Sequence, residues 1–327
     1  MKRIAWIDQL RGFSMMAILW FHTEMYYGGK DIIPYSFYVG DVLAVFFFIS
    51  GYLFYDNKPF DAKRKVQRVF RGLIVPYFIF TTIITILKAI AYKETDNISA
   101  MLTNILTGEA SWFVTALIVS ELLFITILSF TQCRKKSILA FALFSLLLTA
   151  ILSNSYSPYH NPFNYWHINE AFLGCFLMGL GYLYHSKEAI IHQLNKTYTL
   201  PVIFLSIIIL KIIIWKEGLQ MILGPVMAEN FMLFILDLLL SIVLLIGIFK
   251  RLPNISIIGW TGSHSLVYYF ICGGVPVIIS KLFEHFGCYY QHHYNMILPF
   301  ILVYILSTMI TYTIYRWLPF LIGASSK

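Results

Sequence analysis

The chain is 327 residues long, 59% hydrophobic and only 12% charged, with a formal net charge of +8 and a mean hydropathy of +0.73. Soluble domains average about 25% charged residues, so this composition excludes an ordinary soluble enzyme and points to an all-α, polytopic integral membrane bundle. The four cysteines, Cys133, Cys175, Cys272 and Cys288, show no paired spacing, which argues against a disulfide framework or a zinc site.

Apolar runs of about 20 residues mark transmembrane helices. They predict ten, near 4–25, 39–56, 72–92, 112–131, 137–154, 165–185, 198–215, 230–249, 262–283 and 296–316. The basic start Met1-Lys2-Arg3 leads into an apolar run too long for a signal-peptide core and lacking a small-residue cleavage site, so the first helix is read as retained. That helix carries Asp8, Arg11 and His22. An Arg or Asp at the centre of a span costs roughly 2.5–3.5 kcal/mol on insertion scales, and a chain this apolar had many alternatives. Arg11 and His22 are eleven residues apart, almost three turns, so they share a face and lie about 16 Å apart along the axis. Asp8 is within reach of Arg11 at the i,i+3 spacing.

Asp41 opens the second helix at the outer side, near the expected level of His22. It is either a partner for that imidazole or a helix cap. The stretch from Asp56 to Arg71 reads as an inner loop, with six basic residues in fourteen positions from Lys58. Arg68 and Arg71 share a face there, and their planar donor forks suit phosphate groups. Contact with anionic lipid is the other reading. Trp112, at the start of the fourth helix, is an interfacial belt residue or a sugar-stacking platform. Glu121 and Asp237 lie deeper in the fourth and eighth helices, as channel or proton-path candidates. Glu170 suits the first-turn dipole of the sixth helix. Lys88 and Lys211 sit near outer helix ends, where they can snorkel.

With both termini cytoplasmic, seventeen Lys and Arg residues fall on the inner side and four (Lys30, Lys93, Lys216 and Lys281) in outer loops. This positive-inside bias makes the net charge a topology signal rather than a mark of nucleic-acid binding. The chain reads as one membrane domain over residues 1–327 with no soluble domain, and nothing in it speaks to oligomeric state.

Four stretches in order carry a resemblance. They are Asp8 with Arg11-Gly12 and His22, then Phe46-Phe47-Phe48-Ile49-Ser50-Gly51-Tyr52-Leu53, then Arg68 and Arg71 followed by Pro76, and then Ser111-Trp112-Phe113. Together they resemble the membrane-bound acyltransferase-3 family, in particular its sugar O-acetyltransferases, including the fucose 4-O-acetylase-like members. Ser265-Leu266-Val267-Tyr268-Tyr269-Phe270 is similar to that family's ninth-helix run, but Cys272 stands where many members carry a histidine. The resemblance implies transfer of an acyl group, here acetyl from cytoplasmic acetyl-CoA, to a hydroxyl of an envelope glycan or its lipid-linked precursor. The expected setting is the bacterial cytoplasmic membrane, with no metal.

Arg68, Arg71, Lys65 and Arg64 would then hold the anionic CoA head on the inner side. A group able to take a proton from a sugar hydroxyl near neutral pH is needed, and histidine suits that task. His22 is the only one of nine histidines in the interior of a predicted span, so it is read as the catalytic base or acyl acceptor. Arg11 is assigned to the substrate channel, Asp41 to orienting the imidazole, and Trp112 and Asp8 to substrate binding. The rival class is a transporter or flippase in which Asp8, Arg11, His22, Glu121 and Asp237 line a polar path. No convincing duplication between the halves supports it.

Overall fold

The computed structural model describes residues 4–56, 59–92, 98–155, 164–188 and 199–323. In chain order these form α1 (Ala5–Thr23), α2 (Val39–Phe54), α3 (Ala62–Val69), α4 (Val75–Tyr92), α5 (Ile98–Thr107), α6 (Trp112–Phe130) and α7 (Lys135–Ser155). They continue with α8 (Ile168–Ser186), α9 (Thr199–Lys216), α10 (Phe231–Phe249), α11 (Ser256–Ser263), α12 (Ser265–Ile271), α13 (Gly274–His285) and α14 (Ile297–Trp317). A small antiparallel hairpin of β1 (Met221–Ile222) and β2 (Met227–Ala228) sets Met221 opposite Ala228.

Most predicted spans reappear with ends shifted by a residue or two, and two predicted features are corrected. The inner loop expected up to Arg71 is helical from Ala62, because Asp61 caps the helix by accepting from the Arg64 backbone N–H at 2.9 Å. From Ala62 to Arg71 there is no Gly or Pro, and Ala, Lys, Arg and Gln are strong helix formers. A π-helical turn, Phe70–Ile74, then joins α3 to α4. The ninth predicted span, 262–283, is instead the end of α11 followed by two helices, α12 and α13, bent by 49°. The bend follows Gly273-Gly274, with Pro276 in the first turn of α13, where its missing N–H is tolerated.

Among the described residues, six helices are long and apolar enough to cross a membrane, and the bent pair makes a seventh. Residues 5–23 fall outside that set, because Asp8, Gln9 and Arg11 lower their apolarity. α2 has 16 residues, which at about 1.5 Å each spans less than a hydrocarbon core of about 30 Å. The helix faces are inverted relative to a soluble protein: Leu143, Phe144 and Leu147 of α7 are 53%, 56% and 57% exposed. Val202, Leu205 and Ile209 do the same along α9. Such stripes are stable where lipid is the solvent, so this is a multi-pass membrane protein.

The chain divides into two compact units. The first is Met1–Val45, Leu194–Leu219 and Met232–Leu318; the second is Phe46–Gln193, Gln220–Phe231 and Pro319–Lys327. In the first, α1 lies directly on α11. A methyl at Gly12 would sit 1.9 Å from the Ile258 carbonyl oxygen, and one at Gly262 would sit 1.7 Å from that of Asp8. In the second, the end of α2 lies on α8 with equal intimacy. Methyls at Gly51 and Gly181 would meet the Met178 and Phe48 carbonyl oxygens at 1.9 and 2.0 Å. The Ser120 hydroxyl of α6 donates to the Ala171 carbonyl of α8 at 3.0 Å. Small residues that admit backbone contact, with a few interhelical hydrogen bonds, are what hold helices together when lipid removes the hydrophobic incentive.

Candidate active site

In the first unit, Asp8, Arg11 and His22 are all half-buried on α1. The crossing at Gly12 and Gly262 presses the Asp8 end of α1 against α11. Gln9, fully buried, fastens it further by accepting from the Ile255 backbone N–H at 2.8 Å. At the other end, α1 runs on through a π-helical turn, Glu24–Gly28. There the His22 imidazole lies nearly parallel to the Tyr26 ring, with centroids 6.3 Å apart, and edge-on to Phe21 at 5.6 Å. The Tyr26 carbonyl accepts from Ser280 of α13 at 2.7 Å. Glu24, buried two residues beyond His22, accepts from the Trp20 indole at 2.5 Å and from the Tyr38 phenol at 3.4 Å. Burial, and then the Glu24 charge, push the Tyr38 phenol well above its ordinary value, so it stays a neutral donor.

Asp41 is buried at the start of α2, and its Oδ2 accepts from Lys211 Nζ at 2.7 Å. The same ammonium donates to Asp237 Oδ2 at 2.6 Å and to the Ser36 carbonyl at 2.6 Å. Three donors thus meet three acceptors, which is the full capacity of a lysine. This overturns the reading of Lys211 as a snorkelling helix-end residue: it is only 6% exposed. Asp237 belongs to that cluster, and Asp41, expected beside the imidazole, commits one oxygen to the lysine.

In the second unit, Arg64, Arg68 and Arg71 are exposed along α3 and the π-helical turn after it. Lys65 is half-buried, its ammonium 4.6 Å from the centre of the Phe54 ring. Here the cations stand on a helix, a firmer platform than a loop. Glu121 accepts from Ser50 at 3.0 Å, which gives the hydroxyl of the Ser50-Gly51 pair a partner of its own. Trp112 is half-buried at the start of α6, and the Gly224 turn of the hairpin lies against its six-membered ring, leaving no room for a methyl there. Its ring also meets that of His167 at 62°, with centroids 6.3 Å apart.

His167 and Glu109 were passed over by sequence reasoning, because a histidine at a predicted helix end carries no local signal, and Glu170 was read only as a first-turn carboxylate. Among the described residues, no group of three or more His, Cys, Asp or Glu side chains is placed to hold a metal ion. A family model described as an acyltransferase domain matches residues 4–316. No curated protein matches the chain, and no solved structure does.

Proposed function

The chain belongs to the acyltransferase-3 family, and from that premise we propose that it transfers acetyl from cytoplasmic acetyl-CoA to a hydroxyl of an envelope glycan or its lipid-linked precursor. The observation that carries this reading is the first helix, where Arg11 and His22 occupy one face of a helix within the family match. His22 takes the proton of the acceptor hydroxyl as that oxygen attacks the thioester carbonyl. The carbon–sulfur bond breaks, the ester forms, and CoA leaves as the thiol once the proton reaches sulfur. In the two-step version the imidazole itself is acylated first and then attacked by the hydroxyl. Arg11 lines the channel, where its charge faces the developing oxyanion, and Asp8 lies one turn behind it. On the donor side, Arg64, Lys65, Arg68 and Arg71 hold the anionic CoA head. With both termini cytoplasmic, that basic face lies on the side where acetyl-CoA is made.

The test is transfer of label from acetyl-CoA to an envelope glycan fraction by the purified full chain. His22→Ala should lower the rate at least about a hundredfold, as loss of a general base does, and Arg11→Ala should cost a similar factor. Arg68→Gln with Arg71→Gln should instead raise the half-saturating acetyl-CoA concentration roughly tenfold, as loss of charge-assisted contacts to phosphate predicts. Absence of both transfer and acetyl-CoA binding in the native chain would overturn the reading and make transport the activity to assay.

A further inference from the structure

We propose that Glu109, His167 and Trp112 form a binding site for a vicinal diol of a sugar, held in register by Glu170. The geometry starts from an unusual backbone. Trp166 and His167 adopt φ of 56° and 52°, two consecutive non-glycine residues in the left-handed region just before α8. Such conformations persist only where the surroundings impose them, and they cluster at binding and catalytic sites. Here the strained turn drives the His167 ring inward, leaving it 7% exposed.

Its Nδ1 lies 3.3 Å from Glu170 Oε2. Glu170, 2% exposed, is itself held by the Asn164 amide at 2.8 Å and by the Val226 backbone N–H at 3.1 Å. A carboxylate accepts only, so in the neutral ring Nδ1 carries the hydrogen and Nε2 presents a lone pair. That Nε2 is buried and makes no hydrogen bond within the described residues. It faces Glu109 Oε2 at 3.5 Å, and the Glu109 side chain is 51% exposed.

In the neutral ring, two acceptors therefore stand side by side with no donor between them, the imidazole Nε2 buried and the Glu109 carboxylate half exposed. An orphaned buried acceptor is costly, and native proteins rarely tolerate one without a purpose. A ligand with two adjacent hydroxyls satisfies both at once, each O–H donating to one acceptor. The Trp112 ring beside the imidazole adds the apolar wall that such sites combine with a few fixed polar groups. The identification of the diol as that of the acceptor glycan rests on the acetyl-transfer reading above; the pairing of acceptors does not.

The experiment uses the full chain in lipid nanodiscs and an equimolar mixture of methyl α-glucoside, α-galactoside and α-mannoside. Saturation-transfer NMR reads glycoside binding, and acetyl-CoA affinity is measured on the same samples. The native chain should saturate ring protons flanking a diol. Glu109→Gln and His167→Asn should each reduce that signal at least fivefold, with acetyl-CoA affinity unchanged within twofold. Asn suits the left-handed backbone, so the second variant removes the imidazole without adding strain. No signal from the native chain, or a signal that survives both variants, overturns the proposal. Glycoside signal without any acetyl-CoA binding would sink the acetyl-transfer reading and leave the diol site standing.

Discussion

Lys211 shows what a single residue does in this bundle. Its ammonium is shared among Asp41, Asp237 and the Ser36 carbonyl, all at 2.6–2.7 Å. Lys211→Met would strand two buried carboxylates, and breaking a buried ion pair from one side costs about 3–5 kcal/mol. The midpoint of thermal unfolding in detergent should fall accordingly. Adding Asp41→Asn and Asp237→Asn should recover most of the loss, because neutral groups of similar shape need no cation. If the single substitution leaves the midpoint unmoved, the cluster is not a stability element. None of this was legible in the sequence, since Asp41 and Lys211 are 170 residues apart and no local pattern pairs them. His22 and Arg11 stood out in the sequence because their oddity is local, ionisable side chains inside an apolar run.

Elements were readable to the extent that apolar length defines them. The positions of α6, α7, α9, α10 and α14 follow from that alone, whereas the capped helix α3 hid inside a charge-rich stretch. The break between α12 and α13 is marked by Gly273-Gly274 and Pro276, and the run of apolar residues on either side masked it. Where two helices touch by backbone, the glycine at the contact decides the packing. Gly262→Ile should force α11 off α1 and sharply lower the yield of monodisperse protein in size-exclusion chromatography, since the Asp8 carbonyl occupies the space. Gly72 is the contrasting case. Nothing lies within 4 Å of a methyl built there, so Gly72→Ala should be neutral or stabilising by up to about 1 kcal/mol, from helix propensity. A folded, monodisperse Gly262→Ile protein would refute the contact.

At the scale of the whole molecule, the charge asymmetry predicts a sidedness that the native cysteines can report. Both termini inside would place Cys288 on the outer side and Cys133 on the inner side. Cys288 is exposed, Cys133 is partly so, and Cys175 and Cys272 are buried. A membrane-impermeant maleimide applied to intact cells should therefore label the native chain but not Cys288→Ser. Cys133 should react only after permeabilisation. Labelling of Cys133 from outside would invert the topology, and with it the side of the membrane that the basic face of α3 occupies.

The lysine cluster also has a history in time. As the chain is synthesised, Asp41 enters the bilayer 170 residues ahead of its cation, and Lys211 arrives 26 residues ahead of its second carboxylate. An ammonium entering lipid is costly by itself, so α9 settles more readily when the start of α2 is still within reach. The order of translation thus makes an early helix the receptor for a late one, and α10 closes the set as the last charge to be delivered.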